Sequence, residues 1–282
     1  MIYDDVIKAL ISAQIPSPRL EARLLIAAAG NLPADEVCYT TLLCPEEQAV
    51  LAQMLKQRVA HKPLDKILGH KAFYKSDFKV NEKVLSPRPD TEVSVEAALE
   101  IIKKEKITDI ADFGTGSGCI LLSLLLEVPD LRGIGIDKSA DALQVAQQNA
   151  ASLGIGNRCK LLMADWFEPD FTSKIAEKFQ LIISNPPYIP DADIDTLEEE
   201  VKNYDPYLAL SGGQDGLSSY RKIAENAPLL LNNKGYIVLE TGIGQTEDVK
   251  NIFMKNGFEY VKTVPDLADI DRCLIFRKND CI

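Results

Sequence analysis

ITDIADFGTGSG, Ile107 to Gly118, is the stretch on which the fold turns. Ile107 to Phe113 is apolar and of strand length, and DFGTGSG (Asp112 to Gly118) is a glycine-rich turn opening an apolar helix near Cys119. Glycines at 114, 116 and 118 allow a tight turn and let a ligand press against the backbone, while the helix start offers unpaired N–H groups. About twenty residues on, the run GIGID ends in Asp137, where a carboxylate can accept hydrogen bonds from both ribose hydroxyls. A structural turn would explain the glycines alone, but the spaced acid points to a nucleoside cofactor. G-T-G-S-G lacks the G-x-G-x-x-G spacing that seats a pyrophosphate, so NAD is the second choice. A third strand ends in Ala164-Asp165-Trp166; there Asp165 is placed to take an adenine amine and Trp166 to pack on the ring, although a tryptophan at a strand end is ordinarily core.

Outward from this unit the pattern alternates. Apolar runs at Gly133 to Ile136, Lys160 to Met163, Leu181 to Ser184 and Tyr236 to Leu239 are separated by helical stretches such as ADALQVAQQNAASLG and SSYRKIAENAPLLL. Such alternation predicts a doubly wound, mainly parallel α/β sheet, closed by an antiparallel hairpin from Glu259 to Val264 and Cys273 to Arg277. Upstream, Val6, Ile7, Leu10 and Ile11, then Leu20, Leu24, Leu25 and Ala28, recur at helical spacing among Pro16, Pro18, Pro33 and Pro45. They predict a bundle of four or five short helices ending near His61. Aromatic and β-branched residues around a polar turn, Ala72 to Leu85, predict a linking β-hairpin. The expected organisation is a helical domain over 1–71, a hairpin over 72–86 and an α/β domain over 87–282.

Charge narrows the partners. The chain has 282 residues, 42 of them acidic and 31 basic, a net charge of −11 that disfavours extended nucleic-acid binding. Its six cysteines (Cys38, Cys44, Cys119, Cys159, Cys273, Cys281) contain no C-x-x-C pair, and with His61 and His70 as the two histidines a metal site has little to build on. Reduced thiols in a cytoplasmic protein are expected. The N-terminus, MIYDDVIKAL, begins acidic and forms no apolar leader, and no window reaches the length of a membrane span.

SNPPYIP, Ser184 to Pro190, carries the chemistry. Two consecutive prolines remove two donors and fix φ, so the chain presents carbonyl oxygens just beyond a strand. Asn185 adds a side-chain amide oxygen and Tyr188 a flat face against which a planar group can stack. The set suits a planar –NH2 group, its hydrogens held by the Asn185 side chain and the Pro186 carbonyl and its lone pair left free to meet an electrophile.

DFGTGSG, Asp137, ADW and NPPY in this order resemble a class I S-adenosylmethionine-dependent methyltransferase of the amino-methylating type. LSPRPDTE (85–92), the helical N-terminal region and DIDRCLIFRK (269–278) further resemble the peptide chain release factor N5-glutamine methyltransferase family, over essentially the whole chain. Ser86 stands where that family usually has an apolar residue, and Lys66 where an aromatic residue is common. The resemblance implies a seven-stranded Rossmann-like sheet and methyl transfer from S-adenosylmethionine to a glutamine amide in the Gly-Gly-Gln motif of release factors. It makes Gly114, Thr115, Gly116, Ser117 and Gly118 the methionine-and-ribose loop, Asp137 the ribose ligand, Asp165 and Trp166 the adenine contact, and Asn185, Pro186, Pro187 and Tyr188 the substrate clamp. Asn185 also borders the cofactor, and Asn185, Pro186 and Tyr188 would act in catalysis. Arg88 and Glu92, with the residues between them, would cover the same pocket; Thr91 and Glu92 equally suit the start of the next helix.

The resemblance further implies a monomer acting on a protein, with a helical domain that recognises it, no stable nucleic-acid partner, no membrane and no metal. A nucleic-acid adenine or cytosine amino methyltransferase using the same clamp on a flipped base is the alternative. DADIDTLEEE (191–200) reads as a solvated loop and helix, or as a lid for a basic partner, and Gly212-Gly213-Gln214 as a turn before the helix at Leu217.

Overall fold

The structure, a computed structural model, describes residues 3–280. Cys281 lies outside the described residues; the other five cysteines carry free thiols. The chain forms two compact units, one running to His70 and adding Glu198–Tyr204, the other taking Lys71–Leu197 and everything from Asp205 on.

The first unit contains helices α1 (Tyr3–Ser12), α2 (Pro18–Gly30), α3 (Pro45–Val59) and α4 (Leu64–Leu68). Pro18 and Pro45 occupy first helical positions, where a missing N–H costs nothing. Val6, Leu10, Leu25 and Leu51 are fully buried in its core. Ile11 and Leu20, counted from spacing among the apolar faces, instead stand 56% and 57% exposed. The inward face of α2 is carried by Ala22, Leu25, Ile26 and Ala27, two large aliphatic side chains between two alanines. Arg58, only 2% exposed, meets Glu21 at 2.5 Å and Glu200 at 2.8 Å. Buried Lys66 donates to the carbonyl of Tyr204, whose hydroxyl donates to the carbonyl of Ala60. Glu198–Tyr204, distant in sequence, is thus an integral part of this unit.

The second unit opens with a hairpin, β1 (His70–Phe73) and β2 (Ser76–Lys79), turning at Tyr74 with φ +54°. The expected hairpin ran to Leu85. It stops earlier because the Asn81 side chain accepts the Lys83 N–H at 2.8 Å, a local turn that competes with the strand ladder. Then follow α5 (Glu92–Glu105), β3 (Asp109–Phe113), α6 (Cys119–Glu127), β4 (Arg132–Asp137), α7 (Ala140–Ser152), β5 (Cys159–Met163) and β6 (Phe179–Ser184). After α8 (Glu199–Tyr204) and α9 (Tyr207–Leu210) come α10 (Ser218–Leu230), β7 (Leu231–Glu240), α11 (Thr246–Lys255), β8 (Phe258–Pro265) and β9 (Asp271–Lys278).

Seven strands form one sheet in the order β5-β4-β3-β6-β7-β9-β8, parallel through β7 and antiparallel at β9 and β8. Ile110 faces a core with Leu121, Leu125, Val95 and Ile102, while Ala111 and Phe113 face the opposite core with Tyr220, Ile223, Val249 and Phe253. This period of two places helices on both faces. From the central strand β3 the chain winds outward first toward β4 and later toward β6. The helices part at that reversal, leaving a crevice beyond the carboxyl ends of β3 and β6. Among the described residues no helix is long and apolar enough to cross a membrane.

Candidate active site

Phe113 pairs with Ser184, so the glycine turn and the Asn-Pro-Pro-Tyr segment leave the sheet side by side. The Ser184 hydroxyl donates to the Phe113 carbonyl at 2.6 Å and locks the two strand ends together. Gly114 and Thr115 N–H groups both donate to the Ile136 carbonyl, bending the chain back over β4. Gly114, Gly116 and Gly118 all have positive φ, where a side chain is strained. A Cβ on Gly114 would also lie 3.3 Å from the Trp166 ring.

Asp137 ends β4 beneath this turn. One of its oxygens accepts the Gly116 N–H and the other the Ser139 N–H, both at 2.9 Å. Burial raises its pKa, against those hydrogen bonds and the nearby charge of Lys138. Each oxygen keeps a lone-pair direction for a further donor. The Thr115 side chain turns the other way, donating to Asp112 at 2.7 Å, and Ser117 is buried with its carbonyl on the Asn149 amide. Thr115, Ser117 and Gly118 therefore shape the turn through their backbone and do not line the cleft. Burial pushes Asp112 itself up to about 7.

The cleft is lined by Gly114, Gly116, Asp137, Asp165, Trp166, Asn185 and Pro187 among others. It holds about 810 Å³ of empty space, its open mouth included. Trp166 is only 8% exposed and belongs mainly to the core, so one edge of the indole serves the cleft. Asp165 accepts the Phe167 N–H at 3.0 Å and stands 3.9 Å from Lys138. A glycine cradle that a Cβ would fill, a carboxylate floor and an aromatic wall fit a nucleoside cofactor.

Asn185 donates through Nδ2 to the Thr91 hydroxyl at 3.2 Å. Among the described residues no backbone hydrogen bond is made to the carbonyls of Asn185, Pro186 or Pro187; Asn185 and Pro187 line the cleft, and Pro186 and Tyr188 do not. Tyr188 is fixed instead: its carbonyl accepts from Gln245 at 2.9 Å, and its ring packs on the core. Burial pushes the Tyr188 phenol up to about 12. Arg88 pairs with Asp205 at 2.8 Å, and Glu92 accepts the Tyr74 N–H at 2.8 Å while opening α5. Neither Arg88 nor Glu92 lines the cleft, and Glu92 serves the hairpin turn.

Sequence reasoning missed part of the wall. Lys83, Val84 and Leu85, Lys138 and Phe167, and Pro206, Leu208 and Ala209 all line the cleft. Phe167 and Lys138 adjoin motif residues and were within reach of motif reading; Pro206 to Ala209 carry no local signal. The acidic stretch begins as a 3₁₀ turn, Asp191–Thr196, with Asp191 accepting from the Tyr207 and Ser211 hydroxyls. Gly212 and Gly213 are in a turn that donates to the Ile189 carbonyl and accepts from Asp191 N–H, leading into α10.

Strand order, glycine turn and spaced acid define a class I methyltransferase. The same fold is found in a methyltransferase from Pyrococcus furiosus, with a TM-score of 0.52 and 16% identity, the match covering 84% of this chain and 100% of that one. Residues 90–214 match the methyltransferase small domain family, and residues 2–69 the PrmC N-terminal domain family. Release factor glutamine methyltransferases of Caulobacter vibrioides and Agrobacterium fabrum are each 40% identical to the chain, covering 96% of it and 93% and 94% of their own lengths. The chain belongs to the release factor glutamine methyltransferase family.

Proposed function

We propose that this protein transfers the methyl group of S-adenosylmethionine to the side-chain amide nitrogen (N5) of the glutamine in the Gly-Gly-Gln motif of peptide chain release factors. The carrying observation is the pairing of Phe113 with Ser184, from which the glycine turn and the Asn-Pro-Pro-Tyr segment leave the sheet side by side, with Gly114, Gly116, Asn185 and Pro187 lining one crevice. The backbone of Gly114 to Gly118 and the Asp137 carboxylate hold the cofactor, with Asp165 and Trp166 at its base. Bound there, it would supply an electrophilic methyl group on a sulfonium, with S-adenosylhomocysteine as the thioether leaving group and one amide proton lost to solvent.

The amide nitrogen is a poor nucleophile because its lone pair is delocalised into the carbonyl. Asn185 Oδ1 and the Pro186 carbonyl accept its two N–H bonds, favouring a pyramidal nitrogen and orienting the lone pair. Pro187 stiffens the clamp and Tyr188, whose phenol stays neutral at physiological pH, packs beside the substrate. Arg88 acts at the rim through its pairing with Asp205. The helical unit recognises the body of the release factor, and the protein works as a cytoplasmic monomer without a stable nucleic-acid partner. The test is incubation with labelled S-adenosylmethionine and, separately, a release factor, tRNA, rRNA and DNA. Label on the motif glutamine is expected; label on a nucleic acid and none on the factor would refute the proposal.

A further inference from the structure

β7 ends one residue past the Ser184–Leu239 pairing, which puts Glu240 on the strand beside Asn185, each the first residue beyond that register. Glu240 is 2% exposed, and its Oε2 has no hydrogen-bond partner. A carboxyl group so deeply placed beside the acceptor residue is costly unless it does something there. The side chains of Thr91 and Asn185 lie close enough to favour its charged form, and Thr91, also 2% exposed, accepts from Asn185 Nδ2 at 3.2 Å. Arg272, the cation whose charge acts on it, is already engaged by Asp266 at 3.0 Å and Asp90 at 3.2 Å.

These contacts have a direction. A carboxylate can only accept, so the single hydroxyl hydrogen of Thr91 goes to Glu240 and Thr91 is left to accept from Asn185. Asn185 must then present its –NH2 to the buried pair, and its oxygen is kept for the substrate. From this polarity we propose that Glu240, as a carboxylate, is a positioning residue that fixes the Asn185 carboxamide with Oδ1 in the acceptor role. The proposal rests on the assigned role of Asn185 in holding the glutamine amide. Protonated Glu240 becomes a donor; the chain of hydrogen bonds can then run the other way, with Thr91 donating to Asn185 Oδ1 and taking it from the substrate.

Burial pushes Glu240 up to about 7, with hydrogen bonding from Thr91, the charge of Arg272 and the Asn185 amide opposing and the charge of Asp90 adding to it. The other ionisable neighbours are neutral across that range: Tyr188, Cys119 and Cys273 are raised to about 12, and Tyr220, on α10, well above its usual value. Glu240 is therefore the group in this cluster that changes charge near neutrality. Methyl transfer should rise with pH through about 7 and level off above it.

The test is single-turnover methylation of an intact release factor, at saturating S-adenosylmethionine and factor, across the neutral pH range. Glu240→Gln should lower the rate at alkaline pH by about 10²-fold, the scale of a misplaced reacting group, while cofactor affinity stays within about twofold. It should also abolish the rise near neutral pH. Asp112 titrates in the same range, so the loss of the rise in the variant, not its presence in the parent, is the readout. Thr91→Val should likewise slow transfer, and Thr91→Ser, which keeps the hydroxyl, should restore it. A Glu240→Gln protein with the parental rate, or with the parental pH profile at reduced stability, overturns the positioning role. A parent protein that leaves the glutamine unmethylated overturns the assignment of Asn185 first, and the role of Glu240 with it.

Discussion

Asn185 has its amide nitrogen committed to Thr91 at 3.2 Å, so truncation at this position removes an acceptor that is already oriented. Asn185→Ala should cut single-turnover methylation by roughly 10² to 10³, the loss typical of a preorganised polar contact to a reacting group, with cofactor affinity little changed. Near-parental rates from a folded variant would remove Asn185 from the chemistry. Asp137 gives the complementary case, since both its oxygens are seated on backbone N–H groups. Asp137→Ala should weaken S-adenosylmethionine binding by roughly 1 to 3 kcal/mol, measurable by calorimetry; unchanged affinity excludes it from the site. Asn185 and Asp137 were legible because each closes a run of apolar residues and is followed by turn chemistry. Glu240 was not: YIVLE reads as the end of any buried strand, and only the register of β6 against β7 brings its carboxyl to Asn185. Arg88 and Glu92 show the reverse error. Asp205 and Tyr74, which engage their side chains, lie far away in sequence or outside the motif.

Among elements, the strand–helix alternation from β3 onward was readable because the central strands, buried on both faces, are short continuous apolar runs set between helical stretches. The hairpin and the helical faces were less so. Val80 and Val84 are buried, as a continuing strand would have them, yet Asn81 diverts the backbone between them. On α2 the apolar spacing includes buried Leu25 but also Leu20, which points outward, while Ala22, Ile26 and Ala27 complete the inward face. One side chain ties three elements together. Asn149 of α7, 1% exposed, accepts the Lys79 N–H of β2 at 2.8 Å and donates to the carbonyls of Lys79 and Ser117. Asn149→Ala strands these backbone groups and should cost about 2 to 3 kcal/mol of stability, read as a lower urea midpoint with an unchanged slope. Because Ser117 is in the glycine turn, cofactor affinity should fall as well. A variant with parental stability would show that water replaces the amide without loss.

For the molecule as a whole, two buried carboxyl groups set a pH dependence of stability. Asp112 and Glu240 are both raised by burial to about 7, from ordinary values of 3.8 and 4.5. Between those values and about 7 the folded chain holds protons that the unfolded chain releases, so their contribution to stability falls as pH rises through that window and levels off above it. Asp215, held at about 2 by Arg221, loses its pairing only at lower pH and does not offset this. Asp112→Asn should flatten the decline in urea unfolding free energy between mildly acidic and mildly alkaline buffer; an unaltered slope would assign the decline to other groups. A different consequence follows from the discontinuous make-up of the helical unit. Arg58 needs Glu200, and Ala60 receives the Tyr204 hydroxyl, yet the ribosome makes residues 58 and 60 long before 200 and 204. At common translation speeds that gap is on the order of ten seconds. During synthesis the first four helices therefore emerge as an incomplete bundle with a buried guanidinium half paired, and most of the parallel sheet must be synthesised before the missing turn of helix arrives. The helical unit, begun before the sheet, is closed only after most of the sheet has been made.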